Sequence, residues 1–313
     1  MMRFSMANTA PEMSESMPRR WDVATVVADL REARRKWRAH VDRETDLGDR
    51  EFPSVERIEG LIKQLRGALF PLRLGPADLQ REAEDHYVGY AIDLALSGLV
   101  EEARLELDCR ERSGGDAHRR EAVDRVRRFA ERLADIRLAL DEDIDAAYAG
   151  DPAARFVDEI LLCYPGIHAL LHYRVAHVLH ELGLPLIARI ITELAHSSTG
   201  IDIHPGAVIG RAFFIDHGTG VVIGETARIG DRVRLYQAVT LGAKSFETTT
   251  GGQLVKGKAR HPVVEDDVVI YAGATVLGRV TIGTGSTIGG NVWLTHDVAP
   301  GSVITQARCA QHD

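Results

Sequence analysis

The sequence predicts an α+β chain, an all-helical N-terminal domain followed by a hexapeptide β-solenoid with one extruded loop. Three observations carry that prediction. Aliphatic residues recur at every sixth position through the C-terminal third of the chain. Upstream, apolar residues fall at helical spacing from Trp21 to about Ala195. Between Gly242 and Pro262 the six-residue rhythm breaks, and it resumes at once at Val264.

Taken in order, the first twenty residues hold Ser, Met and Pro but no apolar core of a secretory signal, so they read as a disordered lead-in. From Trp21, Val23, Val26, Val27 and Leu30 form one stripe, with Asp22 placed to cap the helix start. A second helical segment, Pro53 to Phe70, has Ser54 as cap and Glu56 in its first turn. The stretch from Gly75 to Glu111 supplies one long helix, or two broken at Ser97-Gly98. From Asp116 to Asp151, opposite charges at helical spacing mark an exposed, ion-paired face. Shorter helices are expected around Ile167–Glu181 and Pro185–His196. Residues 21–196 thus form the helical domain, 197–302 the solenoid with its loop at 242–262, and 303–313 a tail. The helices carry more amphipathic surface than one small bundle needs, which points to oligomerisation; a self-contained bundle with a solvated outer face fits the pattern equally.

In the solenoid, Ile203, Ile209 and Ile215 begin the periodic set. Ile223, Ile229, Leu235 and Leu241 continue it, and Val264, Ile270, Val276, Ile282, Ile288 and Leu294 complete it. Four residues after most of these stands a small or β-branched residue, such as Ala207, Val233, Val268, Ala274 or Ser286. Each unit is a short strand and a turn, three units make a coil, and stacked aliphatics fill a triangular core.

Bulk composition bounds the function. At 313 residues the chain has room for two domains, and 45% apolar with 27% charged residues is ordinary for a globular protein. A net charge of −8 argues against a broad nucleic-acid footprint. Cys109, Cys163 and Cys309 are too few and too scattered for a disulfide framework or a CxxC metal site, which fits a cytoplasmic setting. No apolar run is long enough for a transmembrane helix, so no membrane partner is expected.

Three short motifs bear chemistry: IDIHP with Asp202 and His204, IDHG with Asp216 and His217, and ARHP with Arg260 and His261. Asp202 and His217 are 15 residues apart. A coil takes about 18 residues, which sets the two on neighbouring coils and within reach of each other. A carboxylate beside an imidazole fixes its tautomer and stabilises the imidazolium, so the histidine can take a proton from a hydroxyl. His168, His172, His177 and His180 invite a metal reading, but two ligands on one helix do not complete a site, and packing at a helix interface explains them better. GTGSTIGG near Gly283 lies inside the hexapeptide run and lacks the strand-turn-helix setting of a nucleotide fingerprint.

IDIHPGAVIG, then FIDHGTGVVIGETARIGDRVRLYQAVTLGA, then RHP before the second half of the solenoid, resembles serine O-acetyltransferase from about Asp151 to Ser302. The resemblance implies a left-handed parallel β-helix behind a helical domain; chain sterics alone favour the opposite hand. It implies transfer of acetyl from acetyl-CoA, a co-substrate and not a permanently bound cofactor, to the L-serine hydroxyl in cysteine biosynthesis. His217 would be the general base, supported by Asp202, with His261 beside the same hydroxyl. Arg260 would pair with the serine carboxylate, and Asp216 and Asp151 would hold its ammonium, giving a zwitterion one fixed cation and two fixed anions. Acetyl-CoA would lie between neighbouring solenoids along Ala243 and Ala272, with Lys256 and Lys258 toward its phosphates.

The resemblance further implies a homo-trimer or a dimer of trimers, and leaves cysteine open as a feedback inhibitor. The tail ARCAQHD lacks the terminal isoleucine that docks into cysteine synthase in many members, so that complex is doubtful. No metal is called for. Against this stand a zinc hydratase using His204, His217 and His261, an acetyltransferase for a sugar or amine, and an inactive scaffold on the same solenoid.

Overall fold

In a computed structural model of the chain, residues 21–40, 52–110, 115–245, 253–255 and 257–306 are described. The expected lead-in over 1–20, Lys256, Cys309 and most of the tail lie outside them. The described residues fall into two separate compact units, 21–40 and those from 52 onward. In the first, α1 (Val23–His40) starts at Asp22, whose carboxylate accepts from the Ala24 N–H at 2.9 Å and the Thr25 hydroxyl at 2.6 Å. Its stripe of Val23, Val26, Val27 and Leu30 is exposed.

The second unit opens with α2 (Val55–Leu69), capped by Ser54 as expected, and the short α3 (Pro71–Leu74). The next stretch is one helix, α4 (Glu84–Arg110), unbroken at Ser97-Gly98. Gly98 serves packing there: a Cβ on it would fall 2.5 Å from a Leu61 methyl, so its absence lets α2 approach α4. α5 (Asp116–Ala130) and α6 (Leu133–Gly150) follow, then α7 (Val157–Cys163), which the periodicity was too short to show. α8 (Pro165–Glu181) and α9 (Pro185–Thr199) lead into the solenoid, each with Pro at its start; α9 runs three residues past His196 to a left-handed Gly200.

Fourteen described strands stack in parallel into three faces. Face one holds β1 (Asp202–Ile203), β4 (Val222–Ile223), β7 (Thr240–Gly242), β10 (Thr275–Leu277) and β13 (Trp293–Leu294). Face two holds β2 (Val208–Ile209), β5 (Arg228–Ile229), β8 (Val263–Val264) and β11 (Thr281–Ile282). Face three holds β3 (Phe214–Ile215), β6 (Arg234–Leu235), β9 (Val269–Ile270), β12 (Thr287–Ile288) and β14 (Val303–Ile304). The last strand pairs with β12, so the ladder reaches past Ser302.

All thirteen aliphatics of the periodic set are buried and pair in register, Ile203 on Ile223, Ile229 on Val264, Val276 on Leu294. Ser286, the polar member of the second set, is fully buried; its hydroxyl donates to the Ala299 carbonyl at 3.0 Å and accepts from the Ser302 N–H. The insertion leaves the core intact, since β8 pairs directly with β5 across it.

Helices and solenoid are joined through the first coil. Arg174 on α8 forks onto the fully buried Asp143 of α6 at 2.8 and 3.0 Å and donates to the carbonyls of Ile209 and Gly210. Asp143 in turn accepts from the Phe213 N–H at 2.9 Å. The Tyr173 hydroxyl donates to the Ala207 carbonyl, and His177 bonds the Pro205 carbonyl. Asp143, Tyr173, Arg174 and His177 thus each find a partner where the helices meet the first coil.

Candidate active site

Each coil turns three corners, and the motifs distribute among them by chain order. The corner between faces one and two holds His204, Glu225, Thr226, Ala243, Arg260 and His261. The corner between faces three and one holds Asp216, His217, Tyr236, Tyr271 and Ala272. The proposed base and the ARHP motif therefore stand at different corners of one prism, as do Ala243 and Ala272.

At the His217 corner the backbone takes a left-handed turn, φ 58° at His217 and 85° at Gly218, which turns the imidazole out of the coil. Its side chain is 70% exposed, whereas Asp216 beside it is buried. The Asp216 Oδ1 lies 3.7 Å from His217 Nδ1, and its Oδ2 accepts from Arg234 Nη2 at 3.1 Å. Arg234 lies under the rings of Phe214 and Tyr236, 4.9 and 4.8 Å from their centroids.

Asp151 caps the C-terminus of α6 and accepts from the Tyr164 hydroxyl and from the Ala153 N–H at 2.8 Å. The Tyr164 bond, then the Ala153 bond, hold its carboxyl below the usual range; the charges of Arg234 and His217 add to this against a small effect of burial. Donating to Asp151, then burial, pushes the Tyr164 phenol up to about 12, so it keeps its proton. Asp151 and Asp216, expected as the ammonium ligands, thus belong to the same electrostatic cluster as His217.

Asp202 opens the coil that His217 closes. Because Ile203 pairs with Ile223, this first coil takes twenty residues, and the two motifs end one coil instead of lying on successive ones. Gly218 packs against the Ile201 side chain, which brings the motifs alongside. The charged partner of Asp202 in the chain is Arg189 of α9, at 3.6 Å; among the described residues it makes no hydrogen bond to His217.

At the other corner His261 is buried. The Thr226 N–H points at its Nδ1 at 3.0 Å and the Thr226 hydroxyl lies 2.8 Å away, so Nδ1 is the acceptor and the proton sits on Nε2. Burial, then the charge of Arg260, lowers its pKa to about 4, which keeps the ring neutral. The imidazole lies over Gly224, where a Cβ would come within 2.2 Å of Nε2. His261 is therefore a fixed N–H donor.

Arg260, expected to face a substrate carboxylate, bonds Glu225 at 2.6 Å, a residue the motif reading passed over. Burial works to raise the Glu225 carboxyl, but the Arg260 bond and charge prevail and hold it low. Lys258 is exposed, and its carbonyl accepts from Arg260 at 3.3 Å. Ala243 and Ala272 are half-buried on their two corners. Lys256 lies outside the described residues.

Among the described residues, the one grouping with metal-ligand spacing is Glu193, His196 and Asp202, within 4.8 Å of one another. Arg189 already faces Glu193 and Asp202 there, and none of His204, His217 or His261 belongs to it. The histidines of α8 pack as expected: His168 stacks on His172 at 4.6 Å, and His180 meets His204 edge-on.

Residues 261–296 match the family model described as bacterial transferase hexapeptide (six repeats). A curated relative, "Serine acetyltransferase, plasmid" of Synechococcus elongatus, is 55% identical over 82% of this chain and 82% of its own length. The chain belongs to the serine acetyltransferase family. It is an acyltransferase, and its solenoid is the left-handed parallel β-helix of that family. Among solved structures, Entamoeba histolytica serine acetyltransferase 1 in complex with L-cysteine has a TM-score of 0.67 at 39% identity, covering 81% of this chain and 87% of that one. Soybean serine acetyltransferase complexed with serine has a TM-score of 0.51 at 29% identity, covering 80% and 97%. No helix among the described residues is long and apolar enough to cross a membrane.

Proposed function

We propose that this chain transfers the acetyl group of acetyl-CoA to the hydroxyl of L-serine, in a site shared by two copies of the chain. The observation that carries the reading is the division of labour between the corners: an exposed imidazole beside carboxylates at one, a buried neutral N–H donor beside an arginine at the other. At the His217 corner the cation, Arg234, is already bonded to Asp216; at the other, the buried His261 is a donor and not a base. Three prisms side by side about a threefold axis bring one corner of each against the other corner of its neighbour. That arrangement supports a trimer, or a dimer of trimers if the helices pair two of them.

Asp216 stands on the Nδ1 side of His217, leaving Nε2 for the substrate hydroxyl. His217 takes the hydroxyl proton as the serine oxygen bonds to the thioester carbon; the C–S bond then breaks and the proton passes to the leaving thiolate. Asp202 supports the imidazolium once it exchanges its distant Arg189 contact for His217. The neighbour's His261 Nε2–H donates to the oxygen on which negative charge develops. Arg260 takes the serine carboxylate, sharing its fork with Glu225, and Asp216 and Asp151 take the ammonium. The pantetheine arm lies between Ala243 of one chain and Ala272 of the next, where small side chains allow close approach, and Lys258 lies toward the phosphates.

Cysteine, found with the Entamoeba relative, shares the ammonium and carboxylate of serine, and on this chain it occupies the same site as an inhibitor. A cytoplasmic setting suits the few scattered cysteines. Release of CoA thiol from acetyl-CoA on metal-stripped protein tests the reading. Release that requires L-serine is expected; release only with a sugar or amine acceptor would discard the serine site.

A further inference from the structure

The helical region holds a cleft around one unpaired arginine that acetyl transfer does not use. Arg66 lies on α2, half-buried, and among the described residues its side chain makes no hydrogen bond or ion pair. Neighbouring arginines behave otherwise: Arg104 has Glu101 and Asp108, and Arg174 has Asp143. Burial alone lowers the pKa of Arg66, with no carboxylate opposing it. A guanidinium with five donors, partly withdrawn from water and unpaired, carries a desolvation cost that a bound anion would relieve.

Around it α2, α8 and α9 enclose a cleft of about 530 Å³, within the range that small molecules fill. Its walls include Ile62, Leu74 and Leu194, apolar surface next to the cation. The stacked His168 and His172 form the far wall. Burial first, and in part the charge of Arg66, holds both pKa values down, His172 to about 4, so neither adds a cation at neutral pH. The titratable groups at the rim are Glu56, Glu59 and Lys63. Two carboxylates against Arg66 and Lys63 leave the cleft without net positive charge, which disfavours polyanions such as nucleotides and leaves one fork for one carboxylate.

We infer that this cleft is a second binding site, for a small monocarboxylate with an aliphatic body: carboxylate on Arg66, carbon chain along Ile62, Leu74 and Leu194. A neighbouring cleft of about 240 Å³ shares Arg66 and His168 and extends to Tyr164, whose hydroxyl bonds Asp151. An occupant therefore bears on the start of α8, and its presence is read as a change in KM for serine. That last clause rests on the proposed function; the binding site does not.

Calorimetric titration of the full-length protein with hexanoate, acetate and sulfate tests the site. Hexanoate should bind in the millimolar range, and about tenfold or more tighter than acetate or sulfate, because its extra methylenes leave water. Arg66→Met should weaken hexanoate by about tenfold or more. Arg66→Lys, which keeps the charge but loses the fork, should fall between and serves if the methionine variant does not fold. Absence of hexanoate binding, binding unaffected in Arg66→Met, or sulfate bound as tightly as hexanoate would each overturn the site. In protein that binds hexanoate, an unchanged serine KM would overturn the regulatory role; if serine is not acetylated at all, the calorimetry still decides the binding.

Discussion

His217 and His261 occupy corners of one prism, yet the side chain of the first is 70% exposed and the second is buried over Gly224. A carboxylate stands beside His217, 3.7 Å from its Nδ1, whereas His261 Nδ1 is already filled by Thr226. An imidazole open to solvent next to an anion can accept and release a proton. One locked as the Nε2–H tautomer with a pKa near 4 can only donate a hydrogen bond at neutral pH. The same residue type therefore serves two roles, set by the turn that presents it.

That contrast can be broken most sharply at the base. His217→Ala should keep the fold, because the ring is exposed, and lower kcat by about 10²–10⁴-fold in a CoA-release assay. Full turnover in a folded variant would remove His217 from the mechanism. Gly224→Ala attacks the other corner without replacing either histidine. The added Cβ must displace His261, and kcat/KM should fall about tenfold or more, with about 1–3 kcal/mol lost in urea denaturation. Activity unchanged in that variant would mean that the position of His261 does not matter.

Arg260→Gln should act mainly through KM for serine, raised about tenfold or more with kcat less affected, because it removes binding common to ground and transition states. An unchanged KM would leave Arg260 as the partner of Glu225 alone.

The pH dependence of stability sharpens the comparison further. His261 and the buried His172 have folded pKa values of about 4, below the ordinary imidazole value of 6.5. Between those values the unfolded chain binds more protons, so stability present above about pH 6.5 declines as the pH falls toward 4. Urea midpoints should drop between pH 7 and 5, and His172→Gln should flatten the slope relative to its own value at pH 7. An identical slope in that variant would contradict the burial of a neutral ring. The smallest effect belongs to Arg189→Met, which frees Asp202 from its 3.6 Å contact and should change kcat/KM by less than about tenfold.

Much of the scaffold was legible because its determinants are local. The period of six marked thirteen aliphatics, all of them in the core, and Asp22 and Ser54 cap the helices whose starts they mark. The motif histidines were legible as candidates, since DHG sits where a coil must turn. Their surroundings were not. Thr226 reaches His261 across 35 residues, Glu225 reaches Arg260 across the inserted loop, and Tyr164 meets Asp151 only after α7 reverses the chain. No periodicity reports such pairs. Fifteen residues span less than one coil, whether of about 18 residues by the hexapeptide count or of twenty as the wide turn at Asp216–Gly220 makes it, so Asp202 and His217 share a coil.

The shared site is the central claim, and complementation tests it most directly. His217→Ala and His261→Ala chains, each inactive or nearly so alone, would be co-expressed in equal amounts and assayed for serine-dependent CoA release. If the site joins one corner of each chain to the other corner of its neighbour, random assembly restores both histidines at about one quarter of the interfaces, and about that fraction of wild-type turnover should return. Turnover no higher than that of the separate variants, in mixed oligomers confirmed by two affinity tags, would show that each chain builds its site from its own corners.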